Sequence, residues 1–209
     1  MSYTNKIDNY QGDCEVLLGK YPLFSDYIKD FAKRQVGNGL DIGAGPKGCN
    51  GAFFKHCKSL DGCDVNQDVV NSLPIPVYKK TFMYKAGSDD LLPYMDGSKE
   101  FVVCSCMIQH LNSFREFNVV MKEISRVLSE GGELFLMFKA GSNDTLLNHF
   151  NTHYGEQRSF RVFEPRYVLD LCRRHGLESV SQDILLDENW IPYCCLVFRK
   201  EPMDYIIDL

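Results

Sequence analysis

Three glycines and two acids carry the first chemistry visible in this chain. The stretch Gly39-Leu40-Asp41-Ile42-Gly43-Ala44-Gly45-Pro46-Lys47-Gly48 spaces Gly43, Gly45 and Gly48 as G-x-G-x-x-G. Glycine allows a sharp turn at positive φ and a close approach of backbone to a ligand. Leu40 and Ile42 flank Asp41, so 39–42 reads as a short buried strand feeding that turn. A glycine turn between a strand and a helix is where a nucleotide-type cofactor is held, with amides facing the ligand. The spacing alone also fits an ordinary tight turn. The second acid raises its weight. Asp64 follows Gly45 at the interval of about 20 residues that places a carboxylate on a ribose hydroxyl pair. Its plainer role would be to cap the next helix. Asp41 stands where a dehydrogenase has an apolar residue, and an acid there suits a cofactor that is positively charged and carries no phosphate.

Two further stretches have the same character. Ser98 to Leu111 holds the apolar run Phe101-Val102-Val103-Cys104, followed by Ser105, Gln109 and His110. Such a run is expected of a parallel strand covered on both faces. Arg126-Val127-Leu128-Ser129-Glu130-Gly131-Gly132 then closes a helix with apolar residues at Phe117, Val120, Met121, Ile124 and Leu128, with glycine as its cap, and Glu133 to Phe138 reads as a strand. With these motifs the chain resembles the class I S-adenosylmethionine (SAM)-dependent methyltransferases, of the methyltransferase type 11-like kind. The likeness is strong over 39–138 and extends by architecture over 160–199. Lys99, Glu100 and Gln109 depart from the family pattern.

The resemblance implies a fold, a cofactor and a set of residues. The fold is α/β: a Rossmann-like, seven-stranded, mostly parallel sheet ending in an antiparallel hairpin, built from 177–186 and 191–199 around the turn 187–189. One domain over 1–209 is expected, with a helical cap at 1–36, a SAM-binding half at 37–138 and a substrate-side half at 139–209. Gly43, Ala44 and Gly45 would let the backbone pass the amino-acid and ribose parts of SAM, and Asp41 would attract its positive charge. Asp64 would take the ribose hydroxyls and Val65 the adenine face. The acid expected after the third strand falls at Ser88, so Asp89 is the expected adenine contact, with Ser88 beside it. Ser105 and Gln109 would border the cofactor after the fourth strand. If the acceptor must lose a proton, His110, His149, His153 and Tyr154 are the candidate bases. No metal ligand set is evident.

Composition sets the outer bounds. The chain has 209 residues, 44% hydrophobic and 24% charged, enough for one α/β core. Its net charge of −5 makes nucleic acid an unlikely partner and leaves a small molecule or protein as the expected substrate. No apolar run reaches the length of about 20 residues that spans a membrane, and the first residues hold no apolar signal core, so a cytoplasmic protein is expected. Nine scattered cysteines with no C-x-x-C pair read as reduced core thiols, Cys104 and Cys106 sharing one strand face.

The remaining elements follow from periodicity. Phe24, Tyr27, Ile28 and Phe31 predict a helix over about 22–35, and Asn50 to His56 reads as another. Residues 68–72 start a helix stopped by Pro74 and Pro76, 77–84 read as a strand, and 165–175 as a helix ended by Gly176. Residues 139–160 show no clear period and are too long for a plain connection, which makes them a candidate lid over the methyl donor. A local helix with Leu146, Leu147 and Phe150 as its apolar face is the competing expectation. Two other functions stand beside methyl transfer: a non-catalytic SAM-binding partner module, and an NAD-dependent oxidoreductase, which Asp41 and the hairpin ending disfavour.

Overall fold

The computed structural model describes residues 22–141, 145–151, 156–185 and 192–202. Seven strands form one sheet in the order β3-β2-β1-β4-β5-β9-β8. They are β1 (Asn38–Ile42), β2 (Ser59–Asp64), β3 (Lys80–Met83), β4 (Lys99–Ser105), β5 (Leu128–Lys139), β8 (Leu177–Leu185) and β9 (Tyr193–Lys200). All neighbours pair in parallel except β9, which runs antiparallel to both β5 and β8. The expected sheet and terminal antiparallel strand are therefore present; the turn 187–189 lies outside the described residues.

The strand order reverses between β1 and β4. That crossover opens a crevice at the carboxyl ends of these two strands, where open α/β sheets bind ligands. Four segments meet there in sequence: the glycine turn after β1, Asp64 ending β2, Ser105 ending β4 and Lys139 ending β5.

Two apolar layers hold the sheet. On one face, helix α3 (Phe114–Val127) and helix α4 (Pro165–Arg174) pack on Leu40, Val102, Leu134, Leu136 and Leu196. On the other, helix α1 (Pro22–Lys33) buries Ile28, Phe31 and Ala32 against Phe54, Phe101 and Phe135. Phe31 sits edge-on to Phe54 and Phe101, which stack on each other with centroids 5.1 Å apart. Phe101 to Cys104 are all fully buried, as a strand covered on both faces requires.

Several local expectations are corrected. The segment after the glycine turn forms 3-10 turns at Pro46–Gly48 and Gly51–Phe53 rather than a helix over 50–56. Helix α3 ends at Val127, and Gly131 (φ 72°) lies within β5, beside the register shift where β4 passes from Leu128 to Glu133. Glycine is thus part of a strand irregularity and not the helix cap. Cys104 and Cys106 do not share a face. Cys104 packs with the α3 side, whereas the strand ends at Ser105 and Cys106, at φ 57°, turns toward the α1 side. Cys63, Cys104 and Cys195 are in no disulfide, and burial holds their thiols well above their ordinary pKa. The third strand is shorter than expected, and helix α2 (Gln67–Ser72) is capped by Asn66, whose side chain accepts from the Asp68 amide. Residues 145–151 and 156–162 form not the local helix but a second, two-stranded sheet, β6 (Thr145–Asn151) with β7 (Glu156–Val162), antiparallel from Thr145↔Val162 to Asn151↔Glu156.

Candidate active site

The glycine turn folds back on β2. The carbonyl of Cys63 accepts from the amides of Gly43 (2.9 Å) and Ala44 (3.0 Å), and Asp64 Oδ2 accepts from the Gly45 amide at 3.2 Å. These three amides thus face the neighbouring strand and not a ligand, a correction to the expected cradle. What the glycines supply is space. At Gly43 (φ 70°) a Cβ would stand 2.6 Å from Met107 Cγ, in the turn after β4. The turn therefore lies tight against the carboxyl end of β4.

Asp64 sits half-buried at the end of β2, with Oδ1 accepting from the Asn66 amide at 3.0 Å. Burial raises its pKa, and the amides of Asn66, Gly45 and Val65 pull the other way. It does not cap α2; Asn66 does. Its amide contacts use one lone pair on each oxygen, and a carboxylate offers about four such sites. Val65 is half-buried beside it.

Asp41 is wholly buried. Its Oδ2 accepts from the Tyr78 hydroxyl at 2.7 Å and its Oδ1 from Asn50 Nδ2 at 3.2 Å. Desolvation pushes its pKa up to about 6, against those two hydrogen bonds. The expected direct attraction for a cofactor's positive charge is therefore not what the geometry provides. Asp41 ties the glycine turn, Asn50 and Tyr78 together from beneath.

The loop after β3 divides its acids. Ser88 Oγ lies 2.8 Å from the Lys85 carbonyl and 3.0 Å from Asp90 Oδ2, two acceptors for its single proton, while Asp89 stands 91% exposed, 3.9 Å from Arg115 of α3. The loop is stapled to α3 by Glu123 and by Arg126, which heads the motif 126–132. Glu123 Oε1 accepts from the Leu92 amide at 2.6 Å, and Arg126 donates to the carbonyls of Leu92 and Tyr94 and to Asp96 and Glu123.

On the acceptor side, Ser105 ends β4 half-buried. Gln109 is 5% exposed and its Oε1 accepts from the Lys139 amide at 3.1 Å, so it joins the turn after β4 to the end of β5 instead of facing the cofactor. His110 closes the 3-10 turn Ile108–His110 and is partly exposed. His149 lies on β6 opposite Arg158, and His153 and Tyr154 fall outside the described residues.

The departures from the family pattern have partners. Lys99 Nζ meets Asp61 Oδ2 at 2.7 Å, both nearly buried, under the Tyr94 ring, whose hydroxyl donates to the same Asp61 oxygen. Glu100 Oε2 accepts from the Asn38 amide.

Residues 40–136 match the model of a methyltransferase domain. Over these residues the chain is similar to methyltransferase domains. An uncharacterized methyltransferase of Schizosaccharomyces pombe is 29% identical to this chain over 170 residues, covering 74% of this chain and 58% of the relative, so the match spans under two thirds of that relative's length. The fold recurs in a SAM-dependent methyltransferase of Methanosarcina mazei, 18% identical with a TM-score of 0.64 over 87% of this chain and 98% of that one. It recurs again in the 1,6-didemethyltoxoflavin-N1-methyltransferase of Burkholderia thailandensis, solved with its substrate and S-adenosylhomocysteine, 15% identical with a TM-score of 0.67 over 94% and 85% of the two chains. Among the described residues, no helix is long and apolar enough to cross a membrane.

Proposed function

We propose that this chain binds SAM at the carboxyl ends of β1, β2 and β4 and transfers its methyl group to an oxygen, nitrogen or sulfur nucleophile of a small molecule or a protein. The observation that carries the reading is Asp64. It ends β2 one strand from the glycine turn, at the crossover crevice, fixed by two backbone amides with carboxylate capacity left for a hydroxyl pair. Gly43 and Gly45, both at positive φ, form the sharp turn that carries the chain past it. The bound S-adenosylhomocysteine of the Burkholderia thailandensis enzyme supports the same cofactor class here.

Bound SAM supplies an activated methyl group, and the chain's work is to hold it and to present the acceptor in line. Ser105 and His110 follow β4, and His110 and His149 are the candidates among the described residues for taking a proton from the acceptor. The β6–β7 hairpin serves as a lid. It leaves β5 at Ala140, which bridges to Phe163 on the return, and Arg161 Nη2 donates to the Asn112 carbonyl at 2.7 Å beside the turn after β4. A net charge of −5 favours a small molecule or protein acceptor over nucleic acid.

Calorimetric titration of SAM, S-adenosylhomocysteine and NAD tests the reading. SAM and S-adenosylhomocysteine are expected to bind and NAD to give no heat. Binding of NAD in place of SAM would replace methyl transfer by an oxidoreductase function.

A further inference from the structure

Strand β3 is the outer strand on its side of the sheet and pairs with β2 alone. Backbone groups of Lys80–Met83 that point away from β2 therefore meet no strand, and such an edge is a template for pairing with another chain. Edges are ordinarily kept short and polar. This one is short, but its surroundings are apolar. Five of the nine large apolar side chains exposed among the described residues fall within 75–95: Ile75 and Val77 before the strand, Met83 at its end, and Leu91 and Met95 in the loop after it. That loop is fixed beside the strand. The Tyr94 ring meets Phe82 edge-on with centroids 5.8 Å apart, and its hydroxyl donates to Asp61 Oδ2 at 2.8 Å. Phe82 thus faces the loop, so by strand alternation Met83 lies on the opposite face of the sheet. A strand added to β3 would send alternate side chains to both faces and find apolar surface on each.

Charge selects the occupant. Lys79 and Lys80 stand at the start of the edge and Lys85 just past its end, all three exposed. Among the described residues their ammonium groups form no ion pair; the acids of the following loop face other cations, Asp89 at 3.9 Å from Arg115 and Asp96 at 2.7 Å from Arg126. On a chain of net charge −5 these lysines make a local positive site. A second copy would set them against one another, since a two-fold antiparallel pairing centred on Phe82 places Lys79 of one chain opposite Lys85 of the other. Nucleic acid would engage the lysines and leave the apolar surface uncovered.

We propose that the β3 edge is a docking site for another protein, which adds an extended segment to the sheet, apolar in its middle and acidic at both ends. Main-chain pairing supplies the attachment, and the flanking lysines and apolar side chains supply the choice of partner. The inference stands on the edge itself and not on the cofactor reading.

The probe is a fluorescein-labelled octapeptide with two aspartates at each end and Val-Phe-Val-Ile between them, titrated with the full chain and followed by anisotropy. Wild type is expected to bind it at least roughly tenfold more tightly than the same peptide with lysines in place of the aspartates, the scale of several exposed charge pairs. The double variant Lys79→Glu, Lys80→Glu should weaken the acidic peptide about tenfold, and Met95→Asp should weaken it as well. Both should melt as wild type does, because the altered side chains are exposed. Bound peptide should also slow amide exchange within 80–83. No binding of the acidic peptide, equal binding of the two peptides, or undiminished affinity in the double variant would overturn the proposal and leave the lysines as guards of an unpaired edge. So would a concentration-dependent dimer that Met83→Lys dissolves, which would put a second copy there. Tighter binding of an eight-nucleotide oligouridylate than of the acidic peptide would overturn it too, and make the lysines a phosphate site.

Discussion

The hydroxyl of Tyr78 donates to Asp41 Oδ2 at 2.7 Å, and the Tyr78 ring fills the space that a side chain on Gly48, Gly51 or Gly62 would occupy. The third glycine of the motif therefore serves packing: it admits the ring that supports Asp41. Tyr78→Phe keeps the ring and removes the donor. It leaves a buried carboxylate short of one partner, and stability should fall by about 1–3 kcal/mol. Urea unfolding measures this, with an unchanged slope expected because the folded surface is the same. Wild-type stability in that variant would show that the hydroxyl contributes nothing.

Asp41 also sets a pH dependence. Its folded pKa of about 6 lies above the value of about 3.9 for an exposed carboxylate, so folding favours the protonated form. The penalty for holding the ionised form is absent below about pH 4, grows through the interval to about pH 6 and is then constant. A shift of about two units corresponds to roughly 3 kcal/mol. Asp64, also raised by burial, acts in the same direction. Wild type should therefore lose stability relative to Asp41→Asn as pH rises from 4 to 6. Parallel unfolding curves for the two proteins across that range would refute the assignment.

Arg126 fastens the loop after β3 to α3. Replacing it with Met removes bonds to the Leu92 and Tyr94 carbonyls and to Asp96, and leaves Glu123, 4% exposed, without its cation. The expected cost is about 2–3 kcal/mol, below the 3–5 of a fully buried pair because Arg126 is itself 23% exposed. Amide exchange at residues 92–97 should quicken more than in the strands. Uniform acceleration across the sheet would mean that the loop is not a separate unit.

Cofactor affinity should depend on Asp64. Asp64→Ala is expected to weaken S-adenosylhomocysteine binding by roughly 1–3 kcal/mol, about ten- to a hundredfold, as hydroxyls lose their acceptor. The variant also frees the Gly45 and Asn66 amides, so Asp64→Asn serves as the near-isosteric companion. Undiminished affinity in both would leave Asp64 as a turn residue only.

The parts of this site that were legible in the sequence are the local ones. Gly43, Gly45 and Asp64 stand at intervals fixed by one strand, one turn and the next strand, and the sheet follows from apolar runs such as Phe101 to Cys104. What was not legible depends on distant partners. Asp41 reads as a ligand contact until Tyr78, 37 residues away, and Asn50 are found on its oxygens. The same two residues explain the missing helix after the turn, because Asn50 turns inward and Gly51 must lie under the Tyr78 ring. Leu146 and Leu147 fit a helix face or a strand equally well, and only pairing of 145–151 with 156–162 selects the hairpin.

Gly43 offers the most direct test of how the turn and the β4 end fit together. Alanine there meets two obstacles that separate cleanly. The first is the backbone: φ is 70°, where an L-residue costs about 1–2 kcal/mol. The second is steric, since the new methyl would lie 2.6 Å from Met107 Cγ and 2.8 Å from its Cβ, a contact that forces one element away from the other. Met107→Ala removes the first of those neighbours and leaves the backbone strain in place. In a double-mutant cycle, Gly43→Ala should therefore be less costly in the Met107→Ala background, with a coupling of about 1 kcal/mol, while a residual loss from the strain persists. S-adenosylhomocysteine affinity should follow the steric part, because displacing the turn from β4 would open the proposed cofactor site. Strict additivity of the two substitutions would show that Met107 does not limit this position and that glycine is required there for its dihedral angles alone.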